Sequence, residues 1–122
     1  METEGLGGPC PRCEEMNCFI KKGTGTWYTF IACPSCFFAY GENADSMLEQ
    51  TGGMVTGADV WIDVIAAHEI ESVEELEEWK HVEKEFTVES PFTFKEEEDW
   101  VENMCVVSET VIRELIKGIK HD

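Results

Sequence analysis

An α+β chain is predicted, with an N-terminal β-hairpin clamped by cysteines and packed with an acidic, mainly helical C-terminal part. Two Cys-x-x-Cys pairs, Cys10-Pro11-Arg12-Cys13 and Cys33-Pro34-Ser35-Cys36, are separated by nineteen residues that read as two strands around a glycine turn. Beyond residue 40 the pattern changes to capped segments of helical spacing. The charge divides at the same place. Residues 1–40 hold Glu2, Glu4, Glu14 and Glu15 against Arg12, Lys21 and Lys22, a sum of −1, so −16 of the formal net charge of −17 falls on residues 41–122. The expected organisation is residues 1–40 as the cysteine hairpin and residues 41–122 as an acidic helical extension. The two are expected to share one globule, because neither can hide its apolar surface alone.

Residues 1–9, with Gly5, Gly7, Gly8 and Pro9, read as a flexible lead into the first cysteine pair. Residues 17–21 and 26–32 are strand-like, joined by Lys22-Gly23-Thr24-Gly25, whose glycines supply the positive φ of a tight turn. On the second arm Trp27, Thr29 and Ile31 alternate with Tyr28, Phe30 and Ala32, so apolar bulk lies on both faces and continues into Phe37, Phe38 and Tyr40. Seven of the thirteen aromatic residues fall in the first forty positions, more than a small hairpin can bury. One face is therefore expected to pack against the C-terminal part; the alternatives are a base-stacking platform, for which only three cations are at hand, and a protein-binding face.

A short helix at 45–50, stopped by Gly52-Gly53, is followed by a loop to Gly57. Residues 59–71 fit two patterns. Val60, Ile62 and Val64 alternate as in a strand, while Trp61, Ile65 and His68 share a helical face behind a Thr56-x-x-Asp59 cap, and helix is preferred. Ser72-Val73-Glu74-Glu75 is a capping box, after which Val73, Leu76, Trp79 or Lys80, and Val82 or Glu83 carry a helix to about Phe86. Residues 86–88 and 92–94 read as extended pieces around Pro91. The run Glu96, Glu97, Glu98, Asp99 suits a helix N-terminus leading into Trp100, Val101, Met104 and Cys105. Ser108 caps a last helix in which Val111, Ile112, Leu115, Ile116 and Ile119 form an apolar stripe, with Arg113, Lys117 and Lys120 toward its C-terminal end.

The spacing of Cys10, Cys13, Cys33 and Cys36 is that of a four-thiolate metal site. Each pair is a short chelate, and two chelates close the tetrahedron that structural Zn2+ prefers, leaving no coordination position for catalysis. Thiolates repel one another without a cation, so metal binding is expected to be coupled to folding of the hairpin. The two Cys-Pro-x-Cys knuckles flanking a hairpin resemble the zinc-ribbon superfamily, found in transcription factors, polymerase subunits, ribosomal proteins and small adaptors. The resemblance covers about the first third of the chain and implies a metal fold rather than an activity. Ribbons and rubredoxins often carry Gly straight after each knuckle, where Glu14 and Phe37 stand here. Cys18 and Cys105 are left over; Cys18 is close enough to the first knuckle to swap in as a ligand, and otherwise reads as a small buried apolar side chain.

Catalysis finds no motif. His68-Glu69 lacks the second histidine of His-Glu-x-x-His, because Glu71-Ser72 stand there, and no nucleophile elbow, phosphate loop or dinucleotide fingerprint is present. The start Met1-Glu2-Thr3-Glu4 is unlike a secretory signal, and no apolar run approaches the ~18 residues of a membrane span, so an intracellular protein with reduced cysteines and no membrane partner is expected. Three function classes remain. The first is a non-enzymatic interaction or regulatory module whose acidic surface, through Glu74, Glu75, Glu77, Glu78, Glu96, Glu97, Glu98 and Asp99, binds a basic protein surface such as that of a nucleic-acid-handling protein. Small acidic zinc proteins of this kind also resemble host-targeting proteins of viruses, which implies an inhibitor or adaptor. The second is a nucleic-acid-binding ribbon of transcription or translation machinery acting through Arg12, Lys21 and Lys22. The third follows from the likeness of the cysteine pairs to rubredoxin, and is an electron carrier with iron on the same sulfurs. The −16 on the larger part opposes phosphate contacts and favours the first class.

Overall fold

The computed structural model describes residues 3–23, 28–42, 54–81, 92 and 105–120. Strands β1 (Thr3–Gly8), β2 (Cys18–Lys22), β3 (Thr29–Ala32), β4 (Ala39–Glu42) and β5 (Met54–Thr56) form one antiparallel sheet in sequence order. Helices α1 (Ala58–Ala67), α2 (Val73–Trp79) and α3 (Glu109–Lys120) complete an α+β fold, as the sequence predicts. Among the described residues no helix is long and apolar enough to cross a membrane.

The sheet separates two apolar clusters, and strict alternation assigns its residues between them. Phe19, Phe30, Ala32 and Ala39 face Val60, Trp61, Val64 and Ile65 of α1, Leu76 of α2, and Ile112 and Ile116 of α3. Cys18, Ile20, Ile31, Phe38 and Tyr40 point the other way, into a second cluster with Cys10, Cys33 and Cys105. The aromatic excess of the hairpin is thus absorbed in part by the helices. Phe19 meets Trp61 edge-on at 6.3 Å between ring centres and Trp79 at 5.4 Å. The sheet runs through residue 40: β4 pairs with β3 on one side, Phe30 opposite Gly41, and with β5 on the other, Gly41 opposite Val55. Gly41 fits closely there: a Cβ would lie 3.0 Å from the Thr29 carbonyl oxygen and 3.1 Å from Phe30 Cβ, so a larger residue would have to push the β3 backbone aside.

Two segments differ from expectation because main-chain pairing leaves little trace in sequence. Within the lead expected to be flexible at residues 1–9, Thr3–Gly8 instead form β1, paired with β2 from Thr3 opposite Lys22 to Gly8 opposite Cys18. Glycine offers the same ladder groups as any residue, and Gly7, at φ 95°, occupies the irregularity where the register shifts between Leu6 and Gly8. The loop expected before Gly57 contains β5, three residues long, too short to show a period of two.

In the segment at 59–71 the helix is confirmed but is shorter, ending at Ala67 with His68 as C-cap and Glu69 at φ 51°. Its N-cap is Gly57 with no side-chain bond, in place of the expected Thr56 cap; the Gly57 amide donates to the Ala39 carbonyl at 3.0 Å, which ties the helix start to β4. Ser72 caps α2 as expected, its hydroxyl accepting from the Glu75 amide at 3.3 Å. That helix stops at Trp79, short of Phe86, and His81 closes a turn. In α3 the Val111 amide donates to Ser108 Oγ at 3.3 Å, and Ile112 and Ile116 are buried. The stripe is narrower than the spacing suggests, because Val111 is 39% exposed. The expected turn at Thr24-Gly25, the helix at 45–50, the extended pieces at 86–88 and 93–94 and the helix start at 96–104 lie outside the described residues.

Candidate metal centre

Both cysteine pairs lie at one end of the sheet, the first linking β1 to β2 and the second linking β3 to β4. Their backbones repeat one turn. The Cys10 amide donates to the Glu15 carbonyl at 2.9 Å and the Glu14 amide to the Cys10 carbonyl at 2.8 Å. In the second pair the Cys33 amide donates to the Phe38 carbonyl at 2.8 Å and the Phe37 amide to the Cys33 carbonyl at 2.9 Å. This turn needs a left-handed residue after each knuckle, and Glu14 and Phe37 supply it at φ 67° and 64°. These are the positions where ribbons often carry Gly, a residue that takes the left-handed conformation without strain. A left-handed non-glycine costs about 1–2 kcal/mol, so Glu14→Gly, at an exposed site, is expected to raise the stability of the metal-loaded protein by up to about 1 kcal/mol. Phe37→Gly relieves the same strain but is expected to lower stability, because the Phe37 ring packs on Trp61 at 6.3 Å. Thermal denaturation of the two variants reads the contrast.

The four sulfurs lie within 4.8 Å of one another, with Cys13 Sγ 3.5 Å from Cys33 Sγ and Cys10 Sγ 3.8 Å from Cys36 Sγ. A tetrahedron of sulfurs ~2.3 Å from a central ion has edges of ~3.8 Å, so the set fits one tetrahedral metal ion. Cys10 and Cys33 are buried, while Cys13 and Cys36 are half-buried at the margin of the second cluster. The amides of Arg12 and Cys13 point at Cys10 Sγ, at 3.3 and 3.4 Å, and favour its thiolate form. Four thiols this close cannot all ionise unaided. Contacts with Cys18, Cys33 and Cys36 hold the Cys10 thiol well below its ordinary range. The hydrogen bond with Cys10 in turn pushes Cys33 up, and pushes Cys36 up to about 12. A cation shared by the sulfurs removes that conflict.

Two supports were invisible to sequence reasoning. Asn17, 9% exposed, exchanges hydrogen bonds with Ser35 inside the second knuckle, Nδ2 donating to Oγ at 3.0 Å, and so links the chain just before β2 to the second knuckle independently of metal. Trp61 Nε1 donates to the Phe37 carbonyl at 3.2 Å, and the Val107 amide donates to the same oxygen at 3.1 Å. The second knuckle is thereby pinned to α1 and to the chain before α3. Residues 18 and 24 positions apart carry no local signal of these contacts.

Among the described residues, the glutamates of α2 have different partners. Glu74 faces Arg113 at 2.8 Å, which holds its carboxyl below the usual carboxylate range, and Glu77 faces Lys80 at 2.6 Å to the same effect. Glu75 turns inward, accepting from Trp79 Nε1 at 3.3 Å and from the Glu71 amide at 3.1 Å. Glu78 is exposed, and Glu96, Glu97, Glu98 and Asp99 lie outside the described residues. Among the described residues the cysteine set is the one group of His, Cys, Asp and Glu arranged to hold a metal, and it excludes His81. No protein-family model, curated protein or solved structure matches the chain, so the likeness to a zinc ribbon rests on the cysteine geometry itself.

Proposed function

We propose that the chain is a non-enzymatic zinc-ribbon protein in which Cys10, Cys13, Cys33 and Cys36 hold one Zn2+ and the acidic extension binds a basic protein surface. The closed set of four sulfurs, at tetrahedral edge lengths of 3.5 and 3.8 Å, carries the metal part. With all four positions taken by protein, such an ion holds structure and has no place for a substrate or a reactive water. Six free thiols suit a reducing, intracellular compartment. Native mass spectrometry with elemental analysis is expected to find one zinc per chain. One iron per chain, with thiolate-to-iron absorption in the visible, would replace this reading by the rubredoxin-like carrier.

The charge carries the partner part: −16 on residues 41–122 repels phosphate backbones and attracts cationic protein, such as a surface that otherwise holds nucleic acid. The role that follows is that of an inhibitor or adaptor. Because the attraction acts over about a Debye length, ~8 Å at physiological salt, capture of basic proteins from lysate is expected to fall as salt rises. Single Glu→Gln changes are expected to matter little. Glu74, Glu77 and Glu78 changed together to Lys should cut capture strongly at unchanged zinc content, with Glu75 left in place because it holds Trp79. If the wild-type chain instead shifts labelled DNA or RNA at physiological salt, and loses this when Arg12, Lys21 and Lys22 become Ala, the nucleic-acid reading takes its place.

A further inference from the structure

Glycine is the poorest helix former after proline, yet Gly118 stands inside α3, which runs on to Lys120. The usual uses of glycine do not apply to it. Among the described residues the positive-φ glycines are Gly7 and Gly57, so Gly118 is not a left-handed helix cap. Nor does it make room inside the fold, because a Cβ at this position meets nothing within 4 Å. Val111, Leu115 and Gly118 share one face of α3 by their spacing, while Ile112 and Ile116 turn to the core. Val111 is 39% exposed and Leu115 half-buried, so this face is apolar, with bare backbone at one end. Charge bears on what can cover it. Arg113 and Lys117 balance Glu109 and Glu114, which makes α3 a near-neutral element on a chain of formal net charge −17. Two copies of such a chain repel each other, and they repel least where each presents a neutral surface.

We propose that this face of α3 is a self-association surface on which a second copy of the chain docks antiparallel, Val111 of each copy against the Gly118 backbone of the other. Glycine there lets the two helix backbones approach closely. The two-fold axis passes between residues 114 and 115, and so brings Glu114 of each copy beside Lys117 of the other, two reciprocal ion pairs at the edge of the contact. The antiparallel order also sets the helix dipoles head to tail. With twelve residues α3 is about 18 Å long, so the contact stays well below the ~1,200 Å2 of stable specific interfaces and the dimer is a weak one. The glutamates of α2 meet α3 through Arg113, which points to a different side of the helix from Val111 and Gly118. A dimer therefore presents the α2 carboxylates twice, and two copies bind a partner with repeated basic sites more tightly than one.

Sedimentation equilibrium of the purified chain, at concentrations up to about 1 mM, should show a monomer–dimer equilibrium. The dimer should tighten as salt rises, because salt screens the repulsion between two chains of −17. Capture of a basic protein loosens with salt, so the two readings fail separately. Val111→Glu, which sets like charges into the contact, should weaken the dimer by about tenfold or more. Gly118→Ala should raise the melting temperature of the monomer and weaken the dimer severalfold, a combination that a glycine without a partner does not give. Lys117→Glu and Glu114→Lys should each weaken the dimer, and the two together should restore it, since the pairs are then reversed rather than lost. A chain that stays monomeric up to about 1 mM overturns the proposal. So does a dimer indifferent to Val111→Glu and Gly118→Ala, which uses another face. A chain that is monomeric alone but retains a different protein through Val111 also overturns it, and gives the face to that partner.

Discussion

Replacing Cys33 with Ser is expected to abolish metal binding and unfold the cysteine end of the sheet. Cys33 is fully buried, follows β3 directly, and its sulfur is 3.5 Å from that of Cys13. Structural zinc contributes roughly 10–16 kcal/mol of apparent binding free energy in small domains, against a total domain stability of ~5–15 kcal/mol. No packing around this site can offset such a loss. The residual serine adds a buried hydroxyl in place of an anion, and the remaining thiolates lose the charge that kept them together. Circular dichroism and elemental analysis should report loss of structure and metal together, and a chelator should do the same to the wild-type chain. Acid should act in the same direction. The metal-free thiols bind more protons than the loaded ones, so stability falls as pH falls, once protons compete for the sulfurs. Cys105→Ala should keep one metal per chain, since Cys105 lies outside the four-sulfur set. A Cys33→Ser protein that stays folded with a full complement of metal would show that the sulfurs do not hold the fold.

What the sequence showed of this molecule depended on how local the signal was. The cysteine centre was legible because chelation writes itself into spacing: two residues between the sulfurs of a knuckle, and a hairpin length between knuckles. The caps at Ser72 and Ser108 were legible for the same reason, each bond closing over three residues. Strands β1 and β5 were not, because they are held by main-chain pairing to a neighbouring strand and their residues carry no alternation to mark them. The partners of the α2 glutamates are a similar case. The sequence places Glu74, Glu75, Glu77 and Glu78 side by side, but which of them meets Arg113, Lys80 or Trp79 depends on where α3 and the Trp79 ring lie. A departure noted in sequence was explained by the backbone: Glu14 and Phe37 adopt the left-handed conformation for which ribbons use glycine.

Trp61 is expected to couple the helical layer to the metal centre, and its removal should weaken both. The residue is fully buried in α1, between Phe19 and Phe37, with centre-to-centre distances of 6.3 Å to each ring. Truncating a buried aromatic of this size to Ala costs about 3–5 kcal/mol. Its second role is polar. The indole Nε1 and the Val107 amide both donate to the Phe37 carbonyl, at 3.2 and 3.1 Å, and so hold from outside the residue whose φ of 64° closes the second knuckle. Trp61→Phe keeps most of the apolar contact and deletes that one donor, a loss of about 0.5–1.5 kcal/mol if the bond is ordinary. The carbonyl keeps its bond from Val107, so no buried acceptor is orphaned and the variant should fold. If the knuckle is held in shape by this bond, zinc affinity should fall by up to about tenfold, the equilibrium equivalent of ~1.4 kcal/mol, and Trp61→Ala should lower it further. Competition against a chelator under native conditions measures this apart from thermal stability. Should Trp61→Phe unfold at a lower temperature while its zinc affinity stays at the wild-type value, the bond stabilises only the packing of α1 on the sheet, and the centre is shaped by its own two turns and the Asn17–Ser35 link.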